Sequence, residues 1–188
     1  MQTYDNYDGS IMFDKIELRH IRPDSLFQTI SLVHQNVFVF NDTIYHNVTL
    51  YKDFPDKEVR SALLAAGLSG LLANHGMDYV CGENGRALSG GEKQRISIAR
   101  ALLQNTSVLL MDEATAALDE ITANAIMNSV LAMKDITCIT VTHRLDESIL
   151  KKYDEIIVLN HGKVAEQGTF DNLISRHGLF YSLYTVSQ

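Results

Sequence analysis

Residues 88–115 place a glycine-opened helix directly before a short apolar strand that ends in two carboxylates. The helix begins within Leu-Ser-Gly-Gly-Glu-Lys-Gln-Arg at residues 88–95, and the strand ends in Leu-Met-Asp-Glu at residues 110–113. Further short apolar runs then alternate with stretches of helical periodicity. Continuous apolar strands separated by helices are typical of a parallel sheet that helices cover on both faces. We therefore expect an α/β fold with a mostly parallel sheet.

The same pattern predicts the individual elements. Helices are expected at residues 90–103, 120–133, 145–152, 169–175 and 179–184, and strands at 108–111, 137–142, 156–159 and 164–167. Earlier in the chain, residues 9–21 alternate as two short strands would, with a turn near Asp14, and residues 30–33 form a β-rich run. From residue 41 to residue 87 the pattern is helical.

Ser89, Gly90 and Gly91 open the helix of the first string. The free backbone N–H groups and the dipole of a helix N-terminus bind phosphate, and glycines let a phosphate approach closely. The alternative is structural, since a serine in this position commonly caps a helix.

Asp112 and Glu113 end the apolar strand, and His143 follows the next one. Adjacent residues that leave a strand point in different directions, so the two carboxylates can serve different ligands. The chemistry favours Asp112 as a Mg²⁺ ligand and Glu113 as the general base that polarises an attacking water. His143 is expected at the carboxyl edge of the sheet, where open α/β folds bind ligands.

Together, these strings resemble the signature motif and the Walker B motif of the ATP-binding-cassette (ABC) nucleotide-binding domain, exporter type, and the resemblance extends from Gly9 to the end of the chain. It implies a P-loop NTPase-like fold with an inserted α-helical subdomain and remnant antiparallel strands. It also implies the cofactors ATP and Mg²⁺, and hydrolysis coupled to transport across a membrane.

The resemblance implies a role for each matching residue. Ser89, Gly90 and Gly91 would contact the γ-phosphate of a nucleotide held by an opposing subunit, and Asp119 would be the acid of the loop between two subunits. Glu113 and His143 would be catalytic, with His143 contacting the γ-phosphate. Gln35 would reach Mg²⁺ and the attacking water, and Asp112 would hold Mg²⁺.

The implied partners are a second nucleotide-binding domain, arranged head to tail, and the transmembrane domain of an exporter. That partnership implies a cytoplasmic location at the inner face of the cell membrane. The implied division of the chain is a β/core remnant at residues 1–36, a helical subdomain with the signature helix at 37–103, and a core α/β subdomain at 104–188.

One family motif is absent, because the sequence contains no G-x-x-x-x-G-K-[ST] phosphate loop. We therefore expect the chain alone not to hydrolyse ATP. In the family a helix follows that loop and packs on the sheet, so we also expect exposed apolar side chains such as Leu109 and Ile139. An unpaired strand edge is expected near Ile11 and Phe13.

Composition excludes several classes of protein. A formal net charge of −7 disfavours a nucleic-acid partner, which needs clustered lysine and arginine. Two cysteines far apart in sequence disfavour a disulfide framework and favour a reducing compartment. No apolar stretch is long enough to span a bilayer.

Two alternatives remain open. A chromosome-maintenance ATPase head carries similar signature and acidic-loop strings, although the helical segment before residue 88, the context of His143 and the lack of heptads weigh against it. A non-catalytic regulatory or dimerisation fragment is the other, because the phosphate loop is absent.

Overall fold

The computed structural model describes residues 7–34 and 37–187. The strands are β1 (Met12–Phe13), β2 (Ile16–Glu17), β3 (Ile30–Val33), β4 (Val108–Asp112), β5 (Thr137–Val141), β6 (Ile156–Asn160) and β7 (Lys163–Gly168). The helices are α1 (Pro23–Thr29), α2 (Ile44–Thr49), α3 (Asp56–Ala65), α4 (Ser69–His75), α5 (Gly90–Gln104), α6 (Glu120–Leu131), α7 (Glu147–Leu150), α8 (Phe170–Ser175) and α9 (Leu179–Ser187).

Three parallel strands in the order β3-β4-β5 form the central sheet. Two antiparallel pairs accompany it, β1 with β2 and β6 with β7. Asp14 has a φ of 53° in the tight turn between β1 and β2, which confirms the predicted turn. The sheet and its helices confirm the expected α/β class, with antiparallel strands and a helical segment from α2 to α4.

The two faces of the central sheet differ in burial. Ser31, Val33, Leu109 and Met111 are buried on one face, where the three apolar side chains join the main core with residues of α5 and α6. On the other face Ile139 is 54% exposed. The expectation of a sheet covered on both faces is therefore wrong for the described residues.

The register of β4 with β5 explains why only one of the two predicted exposures, of Leu109 and of Ile139, is confirmed. Ile139 pairs with Leu110 and Leu109 pairs with Cys138, so Leu109 and Ile139 point to opposite faces. The predicted exposure of Ile139 is confirmed, whereas Leu109 is 4% exposed and its predicted exposure is wrong. Near the expected unpaired edge, the Ile11 side chain is 50% exposed, but its carbonyl accepts from the Leu18 N–H at 2.8 Å, and Phe13 pairs with Ile16 of β2.

A buried amide joins the helical segment to α5. Asn47 in α2 is fully buried, and its side chain bonds to both the N–H and the carbonyl of Phe40. Arg100 in α5 donates to the Asn47 carbonyl at 2.5 Å and to the Phe38 carbonyl at 2.7 Å. Since few other groups in the interior can satisfy these donors and acceptors, the contacts fix the segment from Phe38 to Asn47 on α5.

The predicted helix at residues 145–152 is shorter in the structure. Asp146 is its N-cap, because its carboxylate accepts from the backbone N–H groups of Ser148 and Ile149. A residue that caps a helix has non-helical backbone angles, so α7 begins only at Glu147.

A second, smaller core holds the end of the chain together. It contains Leu150, Val158, Phe170, Leu173 and Phe180. The Glu166 carboxylate of β7 accepts from the backbone N–H groups of Leu179 and Phe180 at the start of α9. These bonds satisfy donors that a helix start leaves without partners.

Within residues 7–34 and 37–187, no helix is long and apolar enough to cross a membrane. Cys81 and Cys138 are both free thiols.

Candidate functional site

The carboxyl ends of β4 and β5 bring three predicted site residues to one edge of the sheet. Asp112 is the last residue of β4, Glu113 follows it, and His143 lies two residues beyond β5. The strands are parallel neighbours, so their ends meet at the same edge. The Glu113 N–H donates to the Val141 carbonyl at 3.0 Å, which ties the first residue after β4 to β5.

Glu113 and His143 are in direct contact. Nε2 of His143 lies 2.8 Å from Oε1 of Glu113. The Glu113 side chain is 24% exposed and the His143 side chain 85% exposed, so the carboxylate is shielded while the ring faces solvent. A histidine held in this way can orient a carboxylate base or exchange a proton with it.

The backbone of Glu113 is strained, with a φ of 47°. A non-glycine residue in this left-handed region costs of order 1–3 kcal/mol, and such residues cluster at active sites. Here the unusual angle turns the chain immediately after the strand and places the carboxylate beside His143.

Asp112 is exposed at the strand end. Mg²⁺ commonly takes only one or two protein carboxylates and completes its shell with phosphate oxygens and water. No cluster of three or more His, Cys, Asp or Glu side chains suited to a metal occurs among the described residues. A single exposed carboxylate fits a Mg²⁺ ion that arrives with phosphate, but not a cage built by the protein alone.

Ser89 caps α5 through a capping box. Its hydroxyl accepts from the Glu92 N–H at 3.2 Å, and its own N–H donates to Oε2 of Glu92 at 2.8 Å. The structural role weighed for Ser89 is therefore present. The helix that follows has 15 residues, and space is open around Gly90, where an added Cβ would meet nothing within 4 Å.

Gly91 packs against the loop that leads to α6. A Cβ at Gly91 would lie 3.2 Å from Cδ2 of Leu118 and 3.6 Å from the Ala117 carbonyl oxygen. Asp119 ends this loop as the N-cap of α6. Its carboxylate accepts a hydrogen bond from the Thr122 N–H, and this bond lowers the pKa of the carboxyl. The loop thus connects the predicted residues at the strand ends with those at the start of α5. We call Ser89, Gly90 and Gly91 the helix-start group.

Gln35, the last predicted site residue, lies outside the described residues. Shortly after it an aromatic surface begins with Phe38, which is 60% exposed and packs edge-to-face on Phe40 at 5.0 Å. Phe40 in turn contacts Tyr51, also 60% exposed, at 6.0 Å. Large exposed aromatic side chains are typical of surfaces that bind another protein.

Sequence reasoning missed one residue of this region. Nη1 of Arg144 donates to the carbonyls of Thr115 and Leu118, at 3.2 and 3.0 Å. The only signal for it was its position directly after His143, because nothing in a sequence pattern shows which carbonyls a guanidinium will reach.

Comparison with known proteins identifies the family of the chain. The family model described as ABC transporter matches residues 1–116. The chain is 38% identical over 190 residues to the ATP-dependent lipid A-core flippase of Haemophilus ducreyi and 40% identical over 188 residues to that of Pectobacterium atrosepticum. Each match covers 97% of this chain and 32% of the relative, so the chain spans about a third of these proteins.

A solved structure agrees as well. A bacterial Atm1-family ABC exporter with ATP bound superposes with a TM-score of 0.90 at 37% identity, over 97% of this chain and 33% of that one. Both the family match and the fold point the same way. The chain belongs to the ABC transporter family, as part of a nucleotide-binding domain of the exporter type.

Proposed function

We propose that this chain supplies the hydrolytic strand ends and the signature helix of an ABC exporter, which couples ATP hydrolysis to transport. The observation that carries the proposal is the 2.8 Å contact between His143 and a shielded Glu113 with left-handed backbone angles. A general base must be oriented toward its water, and this contact orients the carboxylate.

Each residue at the strand ends has one task in this proposal. Glu113 accepts the proton of the attacking water, and His143 orients that carboxylate and donates toward the γ-phosphate. Asp112 holds Mg²⁺, which supplies charge neutralisation on the phosphates when bound. Gln35 is assigned to Mg²⁺ and the water from the resemblance alone.

The helix-start group serves a second nucleotide. Ser89, Gly90 and Gly91 would present the N-terminus of α5 to the γ-phosphate held by a second nucleotide-binding domain, head to tail. Asp119, on the loop packed against Gly91, would meet that second domain. In this proposal, residues 1–36 belong to the β/core part, residues 37–103 to the helical subdomain with the signature helix, and residues 104–188 to the core α/β subdomain.

The aromatic surface that starts at Phe38 would bind the transmembrane domain of the exporter. This partner would hold the chain at the cytoplasmic, inner face of the cell membrane. The two relatives named above carry the name ATP-dependent lipid A-core flippase.

The test uses a chimaera in which this chain replaces the matching segment of the Haemophilus ducreyi relative. Phosphate release and nucleotide affinity are measured for the parent chimaera and for Glu113→Gln. We expect Glu113→Gln to lower turnover by roughly 10²-fold or more and to leave ATP affinity within a few-fold.

An unchanged rate for Glu113→Gln in an active chimaera would remove Glu113 from the role of base. The chain alone, which has no G-x-x-x-x-G-K-[ST] loop, is expected to release no phosphate above background. Turnover by the isolated chain that Glu113→Gln abolishes would contradict that expectation.

A further inference from the structure

The loop between β4 and α6 is folded into two consecutive turns. The Ala116 N–H donates to the Glu113 carbonyl at 3.0 Å, and the Leu118 N–H donates to the Thr115 carbonyl at 3.1 Å. Glu113 stands at one end of this loop and Asp119 at the other. The position of the loop therefore sets the orientation of both carboxylates.

Arg144 contacts this loop from the neighbouring strand end. Its Nη1 donates to the Thr115 and Leu118 carbonyls, at 3.2 and 3.0 Å, and so spans the second turn. Hydrogen bonds from a charged donor are about twice as strong as neutral ones. One guanidinium thus holds the first and the last residue of that turn.

Side-chain packing is incomplete on this side of the loop. A cavity of about 30 Å³ is lined by Thr115, Asn124, Arg144 and Asp146, among other residues. Because a void supplies no packing contacts, the hydrogen bonds of Arg144 matter more for the position of the turn.

Arg144 itself is held firmly. Its backbone N–H donates to Oγ1 of Thr142 at 3.0 Å. Two residues later, the Asp146 carboxylate accepts from the Asn124 side chain of α6 at 2.7 Å, while it caps α7. The guanidinium therefore extends from a segment that is tied to both β5 and α6.

The start of the signature helix α5 also packs against the loop. The missing Cβ of Gly91 leaves room for Leu118 and for the Ala117 carbonyl. The loop thus contacts both the start of α5 and Arg144.

We propose that Arg144 is a positioning residue that holds the loop of residues 114–118, and through it Glu113 and Asp119, in the arrangement needed for hydrolysis. The proposal rests on the function proposed above for that loop's two ends. Arg144 touches neither substrate nor metal in this scheme and acts only through the two carbonyls.

The first test is amide hydrogen exchange on the 188-residue chain without nucleotide. Arg144→Ala is expected to speed exchange of the Ala116 and Leu118 amides by about tenfold or more, with little change in α8 and α9. Arg144→Lys, which keeps a charged donor, is expected to speed it less. Arg60→Ala, which removes an exposed arginine of α3, is the control and should change neither amide.

The second test is the ATPase activity of the chimaera. Arg144→Ala should lower kcat by about tenfold or more while KM for ATP changes by less than about twofold, because misplacing a base affects the chemical step. Arg144→Lys should recover part of that kcat.

Unchanged exchange of Ala116 and Leu118 in Arg144→Ala, or a rise spread equally over the whole chain, would overturn the proposal. Unchanged kcat in a chimaera whose turnover depends on Glu113 would overturn it too. The exchange test needs no hydrolysis, so it separates failure of this inference from failure of the proposed function, which the Glu113→Gln comparison decides.

Discussion

Nε2 of His143 lies 2.8 Å from Oε1 of Glu113, although the two residues follow different strands. The parallel pairing of β4 with β5, in which Asp112 is level with Val141, brings them together. The Glu113 N–H also donates to the Val141 carbonyl, which ties the two strand ends together. The pair is thus a product of sheet register and of the left-handed turn at Glu113.

In the chimaera, His143→Ala should lower turnover by roughly 10²-fold and ATP affinity much less, because the ring orients the base, whereas its donation toward the γ-phosphate is one of many contacts that hold the nucleotide. The measurements are steady-state phosphate release and equilibrium nucleotide binding. His20→Ala removes an exposed histidine outside the site and serves as the control. Equal losses of turnover and affinity in His143→Ala would instead indicate a role in binding or folding.

Asn47→Ala should lower the free energy of unfolding by about 2–3 kcal/mol, because it removes the acceptor of the Phe40 N–H and of Nη2 of Arg100 at a part-buried site. Urea denaturation of the chain measures this change. Asn74→Ala is the matched control, since Asn74 is also helical but exposed, and it should change the free energy by less than about 0.5 kcal/mol. Similar values for the two variants would contradict the assigned role of Asn47.

Asp42 should titrate with a pKa of about 2, below its ordinary value of 3.8. The causes, largest first, are the hydrogen bond with His46, the Thr43 N–H and the Tyr51 hydroxyl. Because the folded-state pKa is depressed, the stabilisation from these bonds is fully present above about pH 4 and is lost as the pH falls toward 2.

An NMR titration of the Asp42 carboxyl carbon checks this value. His46→Ala should raise the pKa of Asp42 more than Tyr51→Phe does, in line with the order of the causes. His75→Ala, whose ring contacts Tyr79 instead, should leave it unchanged. An ordinary Asp42 pKa in the parent chain would refute the prediction.

The exposed face of the central sheet should make the isolated chain bind an apolar dye and self-associate. Ile139→Thr should reduce both effects, since each exposed isoleucine forgoes roughly 1.5–3 kcal/mol of burial and open apolar patches attract other chains. Light scattering over a concentration series and dye fluorescence measure the change. Ile121→Thr is the control, because Ile121 is 84% exposed on α6, away from the sheet. A monomeric, dye-silent parent chain would show that this face is covered in solution.

Elements with strong periodicity could be predicted closely. The helix expected at residues 90–103 is α5, and the strand expected at 108–111 is β4, each one residue longer than predicted. The start of α7 was predicted wrongly because Asp146 fits a helical pattern as well as it fits a cap. Only the direction of its carboxylate, toward the Ser148 and Ile149 amides, decides between the two.

The sequence by itself determined that the candidate residues Asp112, Glu113 and His143 lie at strand ends, because each follows an apolar run that is recognisable as a strand. It also determined the fold class, since apolar runs that alternate with helices leave few other arrangements. Tertiary structure alone decided which face of the sheet is covered. Leu109 and Ile139 both belong to apolar runs, and only the register and the helices packed on one side separate them. It also decided which carbonyls Arg144 contacts. Thr115 and Leu118 lie 29 and 26 residues away from Arg144 in the sequence, so these bonds depend on where the ends of β4 and β5 meet.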